Sequence, residues 1–185
     1  MAEPGWVRSR TWPGSPLTER WGLRRILAPF PPPNPAFFVS MSRPLAVICL
    51  AAGLGKRTKV SLPKVLLPLC GRTLAASALA AVAPLQPARV VVVVHHQKEK
   101  VQKAIAASSS SLFARLEFVD QGSPKGTGHA VQMAMQALAD FRGDVLVTYG
   151  DCPLITTDTL RELCLLRDQA PCSVLVAIAK RHGAR

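Results

Sequence analysis

The 185-residue chain has few aromatic residues, and fewer than half as many acidic as basic ones. Aromatic side chains make up 5% of the residues, and the part after residue 40 contains neither an aromatic cluster nor a uniformly basic helix. Because nucleic-acid binders combine basic grooves with stacking aromatic side chains, this composition argues against a nucleic-acid partner. The hydrophobic fraction of 49% is large enough for a packed core, which excludes a fully disordered chain.

Long apolar runs and paired cysteines are also missing. No uncharged apolar run reaches the roughly 20 residues that a membrane-spanning helix requires, so we expect no membrane partner. The five cysteines form no Cys-x-x-Cys pair, and their number is odd. We interpret them as buried free thiols of a protein in a reducing compartment, and we expect a cytoplasmic location.

Basic residues are in large excess. Lysine and arginine number 23 against 11 aspartates and glutamates, which gives a formal net charge of +12. A surplus of this size predicts anionic partners, such as nucleotide phosphates, without selecting among them. Five arginines and two glutamates in residues 1–40 account for +3, so the remainder keeps +9.

The amino-terminal segment differs in composition from the rest. Its first 40 residues hold 8 of the 16 prolines and all three tryptophans, and the proline-rich run 29–35 suits neither a helix nor a central strand. We predict a disordered Pro/Arg/Trp-rich leader at 1–42 and one domain at 43–185. Three origins of the leader are open: a targeting segment, a proline-rich docking tail, or a segment outside the natural protein. We prefer the last, with Met41 as the start, because the folded pattern begins only after it.

Apolar runs alternate with helical patterns from residue 45 onward. Five consecutive valines, Val90 to Val94, indicate a strand buried on both faces, as in the middle of a parallel sheet. The alternation predicts an open, mostly parallel α/β sheet of Rossmann-like type, in which ligands lie outside the carboxyl ends of the strands. The predicted strands are 45–50, 89–94, 116–119, 144–149 and 173–179, and the predicted helices are 74–82, 97–107, 127–139 and 157–167.

Two helices carry finer expectations. Thr157 is the candidate N-cap of the last helix, because a threonine hydroxyl can accept a hydrogen bond from the first turn. In the third helix, Val131, Met135 and Leu138 are predicted to form the apolar stripe that faces the sheet.

A glycine-rich loop follows the first strand. It reads Ala51-Ala52-Gly53-Leu54-Gly55-Lys56-Arg57, and Leu62-Pro63-Lys64 comes shortly after. Glycines let backbone amides approach a phosphate closely, and the neighbouring cations neutralise its charge. Neither the dinucleotide fingerprint nor the ATPase P-loop fits, because Thr58 replaces the third glycine and Arg57 follows Lys56. We interpret the loop as a phosphate-binding element, the alternative being an ordinary tight turn.

Two further strand ends carry polar motifs. Gln121 lies five residues before Gly126-Thr127-Gly128-His129, and Tyr149-Gly150-Asp151 follows the fourth strand. A carboxylate directly beyond a buried strand is well placed to hold Mg²⁺ against a triphosphate, whereas the alternative is an Asx turn before Pro153. We interpret His129 as a helix-packing residue rather than a catalytic one.

The valine strand ends in His95-His96. These two histidines could face the ligand site, but they lack a cysteine or acid at ligand spacing. We therefore do not interpret them as a metal pair.

Together the motifs resemble the signature of the sugar-1-phosphate nucleotidyltransferases, which reads L-A-A-G-x-G-T-R-M, then L-P-K-V-L, then G-T-G-H-A, then Y-G-D-x-P-L. The resemblance is closest to the uridyltransferase domain of bacterial bifunctional N-acetylglucosamine-1-phosphate uridyltransferases, and it covers about residues 45–180. Lys56 and Thr58 stand where the family has threonine and methionine, whereas Arg57 and Lys64 keep their spacing.

The resemblance implies a fold, a reaction and a set of site residues. The fold is that of the nucleotide-diphospho-sugar transferases, and the reaction converts UTP and N-acetylglucosamine 1-phosphate to UDP-N-acetylglucosamine and pyrophosphate. Arg57 and Lys64 are implied as catalytic residues, Asp151 as the ligand of Mg²⁺, and Gln121 as the partner of uracil. The nucleotide- or substrate-binding residues implied are Leu50, Ala51, Ala52, Gly53, Gly55, Lys64, Gln121, Gly126, Thr127, Tyr149, Gly150 and Asp151.

Alternatives remain open at this point. The family continues into a sugar-binding half beyond the point that matches Arg185, so the resemblance implies an incomplete sheet and impaired activity. The partners left open are a homo-oligomer and a missing carboxyl-terminal half. Other substrates are a different sugar phosphate, a molybdopterin or methylerythritol phosphate, and a non-catalytic remnant is the alternative outside enzymes.

Overall fold

The computed structural model describes residues 43–53, 61–123 and 125–169. They contain a parallel sheet of four strands, with helices on both faces. The predicted parallel α/β architecture is confirmed for this part of the chain. The elements are β1 (Leu45–Leu50), β2 (Pro68–Leu69), β3 (Arg72–Thr73), α1 (Leu74–Val82), β4 (Arg89–Val94), α2 (Lys98–Ser109), β5 (Leu116–Asp120), α3 (Thr127–Ala137), β6 (Asp144–Tyr149) and α4 (Thr157–Gln169). Three short 3-10 helices lie at Lys64–Leu66, Ala83–Leu85 and Ser110–Leu112.

The two central strands are the most apolar ones. β1 lies between β4 and β6, β4 lies between β1 and β5, and all three pairings are parallel. The valines of β4 are fully buried, as the run of five predicted. Burying one such side chain contributes about 1.5–3 kcal/mol, so these strands form the centre of the core.

Alternate residues of the strands face two separate apolar layers. One face of the sheet packs against buried residues of α1, α2 and α4, and the other packs against α3. A helix layer on each face explains why the central strands are continuously apolar instead of alternating. The buried sheet residues of the first layer are Leu45, Val47, Cys49, Val90, Val92, Val94 and Leu146, and those of the second are Ala46, Ile48, Leu50, Val91 and Val93.

The prediction for the face of α3 was partly wrong. Leu138, just beyond the helix, is buried, and the partly buried Val131 packs against the same layer, but Met135 is 43% exposed. The fully buried residues of the helix at the sheet are Ala130 and Ala134. Small side chains let the helix approach the strands closely, whereas an inference weighted by side-chain bulk selects the larger neighbours.

The N-cap prediction for α4 was wrong by one residue. Thr156 Oγ1 accepts the hydrogen bond from Thr159 N at 3.2 Å, which is the capping geometry. Thr157 Oγ1 instead donates to Ala81 O at 2.8 Å and ties α4 to the end of α1. The predicted strand 173–179 and the leader at 1–42 lie outside the described residues.

A short hairpin, β2–β3, was not predicted. Its two-residue turn consists of Cys70 at φ 49° and Gly71 at φ 80°. Tight hairpin turns of this kind require positive φ at both positions, and Asn-Gly or Asp-Gly is the usual signal for them. Cys70-Gly71 lacks that signal. Within the described ranges, no helix is long and apolar enough to cross a membrane.

Candidate functional site

The carboxyl edge of the sheet collects the residues that follow β1, β5 and β6. The backbone ladder continues one residue beyond each of these strands, so that the three segments start from fixed positions. This is the edge at which ligands of open parallel sheets bind. The hydrogen bonds that hold it are Ala51 N to Val93 O at 2.9 Å, Gln121 N to Val94 O at 2.8 Å and Gly150 N to Leu50 O at 2.9 Å.

An ion pair at this edge joins two of the predicted site residues. Lys64 Nζ lies 2.6 Å from Asp151 Oδ2, although the two residues are 87 positions apart in the chain. The side chains are 43% and 30% exposed, so both charged groups remain within reach of a ligand.

The chain segment around Lys64 is anchored in the core. It begins a 3-10 helix whose other two residues, Val65 and Leu66, are buried in the core, and Pro63 before it is buried as well. Leu66 N donates to Pro63 O at 2.8 Å. The backbone of Lys64 is therefore anchored while its ammonium group extends to the surface.

Two cysteines lie near Asp151. Cys152 Sγ is 3.8 Å from Asp151 Oδ1, and Cys49 is fully buried in β1. Burial raises the pKa of the Cys49 thiol to about 12, with a smaller contribution from the charge of Asp151. Burial and the same carboxylate also raise the pKa of Cys152. Both thiols stay protonated near neutral pH, which excludes them as thiolate nucleophiles.

Among the four described cysteines, the expectation of burial was correct only for Cys49. Cys70 is exposed at the hairpin turn, and Cys152 and Cys164 are half-buried. Cys172 lies outside the described residues. The four described thiols are free.

Gln121 is buried at the start of the loop between β5 and α3. It is 4% exposed, and its Nε2 donates to Gly126 O at 2.9 Å. Gly126 has φ 102° and is the N-cap of α3, while Thr127 and Gly128 in the first turn are exposed. The first amides of a helix have no partner within the helix, so this end of α3 presents donors beside the Gln121 amide.

His129 lies in the same first turn. Its Nδ1 is buried and has no hydrogen-bond partner in the described part of the protein. Its interpretation as a helix-packing residue stays a prediction.

The turn between β4 and α2 contributes Gln97 and Lys98, which the sequence did not single out, beside His95, which it did. Lys98 Nζ donates to Asp120 Oδ2 at 2.8 Å, and Gln97 Nε2 donates to Ser61 O at 3.0 Å. His95 Nδ1 lies 3.7 Å from Asp120 Oδ1. These pairs are 22 to 36 positions apart, and no local pattern in the sequence reveals them.

Comparison with known proteins assigns the family. Residues 47–184 match the model of the MobA-like NTP transferase domain. The chain belongs to this family. It is 44% identical to the bifunctional protein GlmU of Corynebacterium jeikeium, over 71% of the chain and 27% of that relative. It is 46% identical to the bifunctional protein GlmU of Xanthomonas oryzae pv. oryzae, over 74% of the chain and 28% of that relative.

The likeness to GlmU confirms the resemblance that the motifs indicated. The chain spans a little over a quarter of the length of these curated relatives. Their activity as whole proteins is therefore a matter for proposal in this chain.

Solved structures agree on the fold. The structure is similar to 4-diphosphocytidyl-2C-methyl-D-erythritol synthase from Anaerococcus prevotii, with TM-score 0.55, 16% identity and coverage of 75% of this chain and 60% of that one. It is similar to Rv0371c from Mycobacterium tuberculosis, with TM-score 0.53, 19% identity and coverage of 68% and 61%. These likenesses show the fold of the nucleotide-diphospho-sugar transferases.

In this NTP transferase domain, the predicted site residues fall into three groups. Lys64 meets Asp151, and Gln121 meets Gly126. Leu50, Ala51 and Ala52 are buried at the end of β1, Gly150 is buried beside them, and Gly53, Thr127 and Tyr149 are exposed. Gly55 and Arg57 lie outside the described residues.

Proposed function

We propose that this NTP transferase domain binds UTP together with Mg²⁺ at the carboxyl edge of its sheet. It transfers the uridylyl group to a sugar 1-phosphate, with N-acetylglucosamine 1-phosphate as the acceptor. The observation that carries the proposal is the 2.6 Å pair of Lys64 Nζ and Asp151 Oδ2 beyond β1 and β6. The sequence likeness to GlmU proteins and the motif resemblance support the choice of nucleotide and acceptor.

The ion pair suits a nucleotide that arrives with a metal ion. Lys64 and Asp151 neutralise one another, and UTP with Mg²⁺ supplies a new counterion to each: phosphate for the ammonium group and metal for the carboxylate. A surface ion pair of this exposure contributes little to stability, so exchanging partners costs little.

The donor set at Asp151 fits Mg²⁺. A half-buried carboxylate offers the hard oxygen ligands that this ion prefers, and Mg²⁺ is commonly held by one or two carboxylates plus substrate phosphates. The described residues contain no group of three or more potential metal ligands, which agrees with a metal shared with the nucleotide. When bound, Mg²⁺ neutralises charge on the phosphates.

The chain's own groups position the reactants. An oxygen of the sugar phosphate forms a bond to the α-phosphorus of UTP, and the bond from that phosphorus to the β-phosphate oxygen breaks, which releases pyrophosphate. Lys64 neutralises charge near the α-phosphate, and Arg57 binds the β- and γ-phosphates and steadies the leaving group. No protein nucleophile is needed, so catalysis rests on orientation and charge neutralisation.

Gln121 selects the base. One of its Nε2 hydrogens is engaged by Gly126 O, which fixes the orientation of the buried amide. An amide in a fixed orientation offers Oε1 to the N3–H of uracil, whereas cytosine carries an acceptor at that position. The segments at Leu50–Gly53, Gly55, Gly126–Thr127 and Tyr149–Gly150 seat the nucleoside and the phosphates through their backbones.

Two assays on the purified 185-residue chain test the proposal. A thermal-shift panel with Mg²⁺ should show UTP stabilising the protein more than CTP, GTP or ATP, and a DNA duplex should have no effect. Pyrophosphate release should require UTP and should be faster with N-acetylglucosamine 1-phosphate than with glucose 1-phosphate. Preference for CTP or GTP would favour a nucleotidyltransferase with another substrate. Absence of nucleotide binding would contradict the proposal.

A further inference from the structure

The β4–α2 turn, defined here as residues 95–98, touches both loops of the candidate nucleotide site. Gln97 within it has φ 49° and ψ 43°, a left-handed conformation directly before α2. Residues other than glycine, asparagine and aspartate rarely adopt this conformation, and such positions persist when surrounding contacts hold them.

One contact of the turn runs to the segment that carries Lys64. Gln97 Nε2 donates to Ser61 O at 3.0 Å, across 36 positions of the chain. Ser61 is three residues before Lys64, and Pro63 between them has a ring-restricted φ of −51°. Pro63 therefore restricts one of the backbone torsions between the anchored carbonyl and Lys64, whose side chain pairs with Asp151.

The other contact runs to the segment that carries Gln121. Lys98 Nζ donates to Asp120 Oδ2 at 2.8 Å, and Asp120 Oδ1 accepts from Gly122 N at 3.0 Å. Gln121 lies between the two anchored residues, and its own backbone N–H is bonded to Val94 O. The Lys98 partner lowers the pKa of Asp120, while Asp120 raises the pKa of Lys98, so both groups are charged near neutral pH.

We propose that the β4–α2 turn braces the nucleotide site, with two separate effects. Gln97 is a positioning residue for Lys64 and thereby for the phosphates, and Lys98 with Asp120 positions Gln121 and thereby the base. This inference rests on the proposed function, because it assigns the two loops to the two ends of one nucleotide.

The binding test compares matched variants of the full chain. Gln97→Gly keeps the left-handed backbone and removes the amide. Gln86→Gly is its control, because Gln86 also has φ 49° and is exposed away from the site. Lys98→Met removes the other contact, and Lys103→Met, on the exposed surface of α2, is its control.

Loss of the Gln97–Ser61 contact and loss of the Lys98–Asp120 contact should have different effects on ligand binding. Gln97→Gly should weaken binding of UTP, CTP and pyrophosphate alike, by about fivefold. The ratio of UTP affinity to CTP affinity should stay unchanged. Lys98→Met should leave pyrophosphate binding unchanged and lower the ratio of UTP affinity to CTP affinity by about threefold to tenfold. Asp120→Asn should discriminate UTP from CTP better than Asp120→Ala does, since the side-chain amide oxygen of the asparagine still accepts from Gly122 N. Equal effects of both variants on all three ligands would overturn the proposal.

Hydrogen exchange on the nucleotide-free protein separates this inference from the proposed function. Gln97→Gly should accelerate exchange at the amides of Leu66 and Leu67, whose acceptors are Pro63 O and Lys64 O. Lys98→Met should accelerate exchange at Gly122 instead. If this pattern appears in a protein that binds no UTP, the proposed function fails and the brace stands. If UTP binds but neither variant changes its own loop, the brace is refuted.

Discussion

The two edges of the sheet differ in how buried and how strongly hydrogen-bonded their charged side chains are. At the amino edge, Arg89 opens β4 with a side chain only 8% exposed. Its Nε donates to Glu117 Oε1 at 3.0 Å, Nη1 to Asp140 Oδ1 at 2.6 Å and Nη2 to Ala137 O at 2.7 Å. All three nitrogens of this guanidinium donate to partners in the same chain.

At the carboxyl edge, Lys64 and Asp151 share one ion pair and stay accessible. A buried cation bonded in this way cannot change partners without a large desolvation penalty, whereas an exposed pair can. The comparison indicates that the amino edge serves stability, while under the proposed function the carboxyl edge serves binding. The predictions that follow test this division, from the largest expected effect to the smallest.

Asp151→Asn should have the largest effect. Removing the charged ligand of Mg²⁺ should lower the rate of pyrophosphate release by about 100-fold and abolish the dependence of UTP affinity on Mg²⁺. Asp158→Asn, which changes an exposed carboxylate of α4, is the matched control and should retain activity. An Asp151→Asn protein with normal Mg²⁺ dependence would show that the metal is held elsewhere.

Lys64→Met should weaken UTP binding roughly tenfold, because a charge-assisted contact to phosphate is lost. The melting temperature should change little, since the exposed pair contributes little to stability. Titration calorimetry at constant Mg²⁺ measures the affinity, with Lys100→Met as the control. A large fall in melting temperature with unchanged affinity would reverse the assignment of the carboxyl edge.

Arg89→Met should have the converse effect. The substitution leaves Glu117 and Asp140 without their shared partner, so the melting temperature should fall by roughly 5 °C or more. UTP affinity should stay within about twofold of the starting protein, because the proposed nucleotide site lies at the opposite edge of the sheet. Arg142→Met, at an exposed arginine of the same edge, is the control for loss of charge. A selective loss of UTP affinity would break the division between the edges.

The smallest expected effect concerns Asp140. Hydrogen bonding to Arg89 lowers the pKa of this carboxyl below its ordinary value of 3.8. The unfolded chain then binds the proton more readily, so the stabilisation is present above pH 3.8 and is lost as pH falls through the lower, folded value. Urea unfolding at pH 6 and pH 3 measures the free energy of unfolding. Its decrease between the two pH values should be smaller for Asp140→Asn than for the starting protein. In the Arg89→Met background, Asp140→Asn should not change the decrease in the free energy of unfolding between pH 6 and pH 3.

The central fold was predictable because it depends on local apolar runs. β1 and β4 are continuous buried segments, and both were predicted with the bounds that the structure shows. The face of α3 was predicted only in part, because Ala130 and Ala134 are buried there through small side chains whose role depends on how close the helix lies. The hairpin turn at Cys70-Gly71 lacks the usual turn residues and was missed for that reason.

The site was predictable only in part. Parallel topology and the three motifs place Lys64, Gln121 and Asp151 at one edge, since carboxyl ends of parallel strands share an edge. The contacts of Gln97 with Ser61 and of Lys98 with Asp120 join segments far apart in the chain. Such contacts depend on side-chain placement in the folded protein, which no local spacing encodes.

Hydrogen exchange with and without UTP and Mg²⁺ tests the central claim most directly, because it compares both edges in one experiment. Addition of the nucleotide should slow exchange at the carboxyl edge, in residues 50–53, 62–67, 121–130 and 149–152. Exchange at the amino edge, in residues 86–90, 113–117 and 138–144, should stay unchanged. Protection confined to the amino edge, or no protection at saturating nucleotide, would contradict the assignment of the Lys64–Asp151 edge as the nucleotide site.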